Sequence, residues 1–270
     1  MAQDNSHEAD TESLLEGFAV LVTRPEGQAS GLVHAIRRRG GEPIAAPMLV
    51  IQSRADDPAA IAAIDRLPDF HAVIFVSRNA AEEGMKLIRA RGQSLDGHAV
   101  YAVGPGTGAS LKALGIANVL SPPNEFTSEG LLKLPGLAAR ETTGKPVLII
   151  RGEGGRELLG QTLQQRGALV TYCEVYTRTP PTTPLKQILE QHGVTAPDVA
   201  LITSAEALEN LARQIEQEGL DDLFDMPLLV VGERVASAVE RLGFTAPPIL
   251  VEGPGDASML AALEAWVLDE

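Results

Sequence analysis

The chain has 270 residues, 44% apolar and 21% charged, with a formal net charge of −14 at pH 7. That length accommodates two ordinary domains, each burying its own core, and the composition is that of a soluble globular protein. The acidic balance, without a basic stripe, excludes general nucleic-acid binding; no apolar run reaches the length of a membrane span; and a single cysteine, Cys173, rules out an internal disulfide and points to a reducing cytoplasm.

Residues 1–17, MAQDNSHEADTESLLEG, are polar and acidic and read as a disordered tail, not a signal peptide. Short apolar runs of the buried-strand kind follow at 20–23, 44–51, 73–76, 100–103 and 119–120, and then at 147–150, 170–177, 199–203, 228–231 and 249–251. Helical segments lie between them and end at Gly40, Gly115, Gly167 and Gly243, where a left-handed residue stops a helix. The segment around Trp266 reads as a final helix docked on the core. Alternation of this type predicts parallel sheets covered on both faces, with ligands outside the carboxyl ends of the strands.

The two sets of strands share a pattern. VLVTRPEGQASGLVHAIRRRG (20–40), set above VLIIRGEGGRELLGQTLQQRG (147–167) at an offset of 127, agrees at eight of 21 positions. Chance would give roughly one or two. Ser77 meets Ser204 at the same offset, and VGPGTGASLKALG from Val103 lies against VGERVASAVERLG from Val231 with one residue added. The expectation is an internal repeat: two similar doubly wound, flavodoxin-like parallel-sheet domains. The second strand of each set is longer and is broken or followed by proline, so these strands are candidates for a two-stranded linker with a cleft between the domains.

Candidate site residues stand at strand ends. Gly104-x-Gly106-x-x-Ala109, with Glu125 as a ribose partner, imitates a dinucleotide turn. The turn belongs to a later unit of its set, however, and the matching turn carries Arg234 where the second glycine should be. Ser77, Thr203 and Ser204 follow strands and open helices, so their hydroxyls and the amides behind them can cap a helix or meet a carboxylate. Arg24 and Arg151 each end the first strand of a set and can grip a carboxylate in a fork, or pair with Glu26 and Glu153 to brace the turn. Bracing is favoured for Arg24, substrate for Arg151. Ser128 and Ser258 read as helix caps and Cys173 as a small core residue. His7, His34, His71, His98 and His192 are scattered singly, and no His or Cys cluster has metal-ligand spacing.

VLVTRPEGQASGL, VIFVSRNAA, AVGPGTGASLKALG, RGEGGRELLGQTLQQRGALVTYCEVYTR and LITSAEALENL, in this order and spacing, resemble uroporphyrinogen-III synthase over nearly the whole chain. The resemblance implies a discontinuous first domain of residues 18–46 plus 177–270, an inserted second domain of residues 47–176, and an active-site cleft between them. It implies a cyclising lyase that takes hydroxymethylbilane to uroporphyrinogen III with loss of water and inversion of the last pyrrole ring through a spiro intermediate, without metal or cofactor.

Tyr176 matches the family's cleft-facing tyrosine. A phenol there can donate a hydrogen bond to the departing hydroxyl, although a group of pKa near 10 is a modest acid at neutral pH. Thr107 matches a family threonine lining the cleft. Arg78 stands where the family often has proline, and could add a carboxylate contact. Val76, Arg234 and Val235 replace family hydroxyls, which leaves the amides of the second glycine turn, with Arg234 beside them, as its substrate contact. Expected of the whole molecule are a cytoplasmic monomer, a small-molecule substrate handed over by the preceding pathway enzyme, and neither nucleic-acid nor membrane partners. The competing readings are a non-catalytic two-lobed binder of an anionic small molecule and a nucleotide-dependent Rossmann-type enzyme.

Overall fold

The computed structural model describes residues 13–269. Residues 1–12 of the expected tail lie outside the described residues, but the rest of it is folded. Residues 13–17 form a turn in which Leu15 is fully buried and donates its N–H to Arg39 O at 2.8 Å. One leucine against the core outweighs the polar company it keeps.

The first elements are β1 (Ala19–Val22), α1 (Glu26–Arg38), β2 (Glu42–Ala45), β3 (Val50–Ser53), α2 (Pro58–Asp65), β4 (Ala72–Phe75) and α3 (Arg78–Ala90). Next come β5 (Ala99–Ala102), α4 (Pro105–Ala113), β6 (Val119–Leu120), α5 (Ser128–Leu131), α6 (Ala139–Thr142), β7 (Pro146–Gly152), α7 (Leu158–Gln165) and β8 (Leu169–Thr179). The chain closes with α8 (Leu185–His192), β9 (Val199–Ile202), α9 (Ala205–Glu218), β10 (Leu228–Val231), α10 (Glu233–Val239), β11 (Ile249–Val251) and α11 (Asp256–Asp269). Among the described residues no helix is long and apolar enough to cross a membrane.

The chain divides into two compact units, residues 1–50 with 179–270, and residues 51–178. The divisions fall at 50/51 and 178/179, slightly beyond the 46/47 and 176/177 read from the sequence. In place of one long strand over 44–51 there are two, because Pro47 interrupts the ladder: it has no N–H to donate. Met48 then resumes the pairing, its N–H on Thr23 O at 3.0 Å.

The first unit holds a sheet in the order β11-β10-β9-β1-β2, parallel throughout. Side chains alternate between two buried faces, as a parallel sheet requires. Leu21, Ile44, Ala200, Ile202, Leu228 and Val230 pack with α8, α9 and α10 residues such as Leu185, Leu208, Leu211 and Val239. Val20, Val22, Val199, Leu201 and Leu229 pack on the other face with Leu32 and Ile36 of α1 and Met259 and Leu263 of α11. Trp266 of α11 meets Phe18 edge to face, ring centroids 5.8 Å apart.

The second unit has the order β3-β8-β7-β4-β5-β6, parallel from β8 to β6. Val73, Phe75, Val100, Ala102, Leu148 and Ile150 form one buried face with α2, α3 and α4; Ala72, Ile74, Tyr101, Val147 and Ile149 form the other with Leu131, Leu137, Leu159 and Leu163. Helices stop where glycines take positive φ, at Gly40 (85°), Gly115 (94°), Gly167 (85°) and Gly243 (92°). The two doubly wound units are of the flavodoxin type, and the strand order in each reverses once, between β1 and β9 in one and between β7 and β4 in the other.

Candidate active site at the β7 and β4 carboxyl ends

Strand order that reverses leaves a crevice at the carboxyl edge, since the connections on its two sides run to opposite faces. In the second unit this crevice is a pocket of about 240 Å³, lined among others by Val76, Ser77, Ser128, Arg151, Gly152, Leu159 and Gly160, with Tyr172, Tyr176 and Arg178 from β8. It lies wholly within residues 51–178. Gly154, Gly155 and Arg156 complete its rim.

Ser77 is the N-cap of α3. Its Oγ accepts the Ala80 N–H at 3.0 Å and lies 3.1 Å from the Tyr176 hydroxyl. Tyr176 is 3% exposed, and a bulge aims it. On β8, Glu174 faces Arg151 and Tyr176 faces Gly152, so Val175 is left over and the strand turns. Gly152 is required there, because a Cβ would sit 2.5 Å from the Tyr176 Cζ. Cys173 is buried in the core beneath, and burial pushes its thiol up to about 12.

Arg151 is almost as buried as Tyr176, with a side chain 6% exposed. Its partner is not Glu153, which pairs with Arg54 at 3.3 Å, but Glu157, whose Oε1 accepts from Nη1 at 2.9 Å. The Arg151 Nε donates to Gly152 O at 3.2 Å, and the guanidinium carbon lies 4.9 Å from the centre of the Tyr172 ring. Hydrogen bonds from Tyr172 and Arg151 hold the Glu157 carboxyl below the usual carboxylate range. Burial, followed by the bond to Glu157, pushes the Tyr172 phenol up. Arg156, also on the rim, pairs with Glu129 at 2.6 Å.

Other candidates fall elsewhere. Arg78, the first residue of α3, is exposed and does not line the pocket. Thr107 lies in the first turn of α4, 7% exposed and apart from the pocket lining. Gly104 caps α4 in extended geometry, φ −151°, whereas Gly232, its counterpart in the first unit, has φ 81°. The turns match in sequence better than in backbone. Glu125, the ribose candidate, is taken by Lys133 at 2.5 Å. Ser128 opens α5 but does not cap it; Thr127 does, accepting the Gly130 N–H at 3.1 Å. Ser258 lies inside α11, beyond its first residue.

In the first unit, Arg24 is buried and tied to Asp256 and to Pro254 O, the latter at 2.7 Å, so its brace is Asp256, not Glu26. Ser204 caps α9 by accepting the Ala207 N–H at 3.1 Å, Thr203 beside it is half-buried, and Arg234 on α10 is exposed. Tyr172, Glu157, Gly160, Arg156 and Arg178 were not singled out from sequence. Two tyrosines four residues apart on one strand, and a glycine-rich turn carrying a second arginine, were the available signals.

A pocket lined by arginines and hydroxyls at the switch point of a doubly wound sheet defines an α/β protein with a small-molecule site at its carboxyl edge. The family model for uroporphyrinogen-III synthase HemD matches residues 30–252. The chain is 31% identical to uroporphyrinogen-III synthase of Escherichia coli (strain K12), over 92% of this chain and 100% of the relative. It is 30% identical to that of Salmonella typhimurium over 92% and 100%. The solved structure of a mutant uroporphyrinogen III synthase from Thermus thermophilus superposes with a TM-score of 0.58 at 17% identity, covering 94% of this chain and 100% of that one. That from Helicobacter pylori 26695 gives 0.55 at 15%, covering 92% and 99%. These two establish likeness of fold. The chain belongs to the uroporphyrinogen-III synthase family.

Proposed function

We propose that the chain closes hydroxymethylbilane to uroporphyrinogen III, with the pocket at the β7 and β4 carboxyl ends as the part of the site where water is lost. It is an enzyme, a lyase of tetrapyrrole and heme biosynthesis. Neither the non-catalytic binder nor the nucleotide-dependent enzyme is favoured. The observation that carries the site is the Tyr176 hydroxyl held 3.1 Å from the Ser77 hydroxyl.

The hydroxyl of the substrate's first-ring methylene departs as water once a proton reaches it, leaving an electrophilic azafulvene. The substituted carbon of the last ring attacks that methylene to form the spiro intermediate, which reopens and recloses with the ring inverted. Ser77 Oγ accepts from Ala80 N–H, so its own proton is free to go to the Tyr176 oxygen. The Tyr176 proton then points to the departing hydroxyl. Arg151 receives one of the substrate's carboxylates, and Arg178 and Arg156 add positive charge at the rim. Thr203, Ser204 and the amides of the first unit receive others, while Arg24 holds the turn between β11 and α11 through Asp256 and Pro254 O. Thr107 is assigned to the substrate by resemblance alone, and Arg78 and Arg234, where the chain departs from the family, by their charge at the ends of strands. Most of the acceleration comes from holding the linear tetrapyrrole folded, because unguided closure needs no enzyme.

The enzyme is placed in the cytoplasm as a monomer that receives its substrate from the preceding enzyme. The test is the rate of hydroxymethylbilane consumption: the purified chain raises it above spontaneous closure, and a rate equal to the buffer control contradicts the assignment.

A further inference from the structure

Arg151 is buried at the pocket wall, and such an arginine reaches a ligand usefully only if its planar fork is fixed in advance. Four contacts fix it, one of them the Glu174 carboxylate 3.9 Å from Nε. Glu157 holds Nη1 at 2.9 Å, Gly152 O holds Nε at 3.2 Å, and the Tyr172 ring lies against the guanidinium, centroid to carbon 4.9 Å. Glu157 and Arg151 both act on the Tyr172 phenol, so Arg151, Glu157 and Tyr172 form one triangle of side chains. The triangle exists because position 160 is glycine: a Cβ on Gly160 would run into the Tyr172 hydroxyl oxygen. Gly160 and Tyr172 both line the pocket.

We infer that Glu157 and the Tyr172 ring are positioning residues that hold the Arg151 fork toward the pocket for a substrate carboxylate, with Gly160 as the space that admits the tyrosine. The inference rests on the function proposed above. Glu157 is half-exposed while Arg151 is not, so the carboxylate can be altered without opening the core. A guanidinium has five donors, and those the triangle and Gly152 O leave over are available to the ligand. Loss of the brace lets the fork turn, which weakens substrate binding more than the chemical step.

Steady-state kinetics of the full chain with hydroxymethylbilane separate the two. Glu157→Gln keeps the shape and removes the charge; it is expected to raise KM about tenfold with kcat within about twofold. Tyr172→Phe keeps the ring and is expected to raise KM only about twofold, whereas Gly160→Ala, which drives the ring away, is expected to match Glu157→Gln. Thermal midpoints are measured alongside. A lowered KM in Glu157→Gln overturns the inference, since Glu157 would then be occupying the carboxylate's place. Unchanged KM in both Glu157→Gln and Gly160→Ala, or a fall in kcat that follows the thermal midpoint, overturns it as well. A parent chain that fails to consume substrate defeats the underlying function instead, and the inference with it.

Discussion

Among single residues, the chemistry turns on the Tyr176 hydroxyl. Tyr176→Phe removes one oxygen from a ring that stays packed among Cys173 and Val175, so turnover should fall about 100-fold while the thermal midpoint holds. Turnover equal to the parent's would remove Tyr176 from the mechanism. Cys173 makes a contrasting case. Its buried thiol, pushed up to about 12, should be at least about 100-fold slower toward a thiol reagent in the folded protein than in denaturant. Rapid labelling of the native chain would contradict its burial. Ser77 and Arg151 were legible in sequence because they end strands at the edge where α/β ligands bind, and Tyr176 through the family resemblance. Their partners were less so. Sequence proximity suggested Glu153 for Arg151 and Glu26 for Arg24, but Glu157 and Asp256 hold them. Two helix starts present these acids, that of α7 six residues on from Arg151 and that of α11 232 residues on from Arg24, and only the folded backbone decides which carboxylate arrives.

At the scale of elements, the caps and turns carry the site. Ser77→Ala and Ser204→Ala each remove an N-cap, at a cost of about 1 kcal/mol, but Ser77→Ala should lower kcat through Tyr176 whereas Ser204→Ala should act on KM through a substrate carboxylate. Equal losses of kcat per degree of destabilisation would leave Ser77 as a cap and nothing more.

Asp57 caps α2 through Ala59 and Ala60 N–H, and its hydrogen bond to Arg54 holds its carboxyl below the usual range. A lowered folded-state pKa stabilises fully above the unfolded value, about 4, and the stabilisation is lost as pH falls through the lower folded value. Asn caps as well as Asp, so Asp57→Asn isolates the charge. It should melt below the parent at pH 7 and together with it near pH 2, and a constant difference across that range would contradict the ion pair. Apolar runs made the strands legible and terminal glycines the ends of α1, α4 and α7, whereas α2, α6 and α8 were not placed. The break at Pro47 was legible as a proline but not as two strands, and the bulge that aims Tyr176 leaves no mark in the alternation.

At the scale of the whole molecule, the two units differ in how the chain makes them. Residues 51–178 are continuous and contain both faces of their own core. The other unit needs β1 and β2 from before the insertion beside β9, β10 and β11 from after it. Residues 51–178 expressed alone should therefore unfold cooperatively on heating, while residues 179–270 alone should not. A fragment 51–178 without a cooperative transition would contradict the division.

The protein's task in the proposed function is to decide which isomer forms, since ring closure without guidance yields the other one. Hydroxymethylbilane incubated with the purified chain, followed by chromatographic separation of the isomers, measures that decision directly. The account predicts that nearly all product is uroporphyrinogen III with the last ring inverted, and product matching the unguided closure would contradict it.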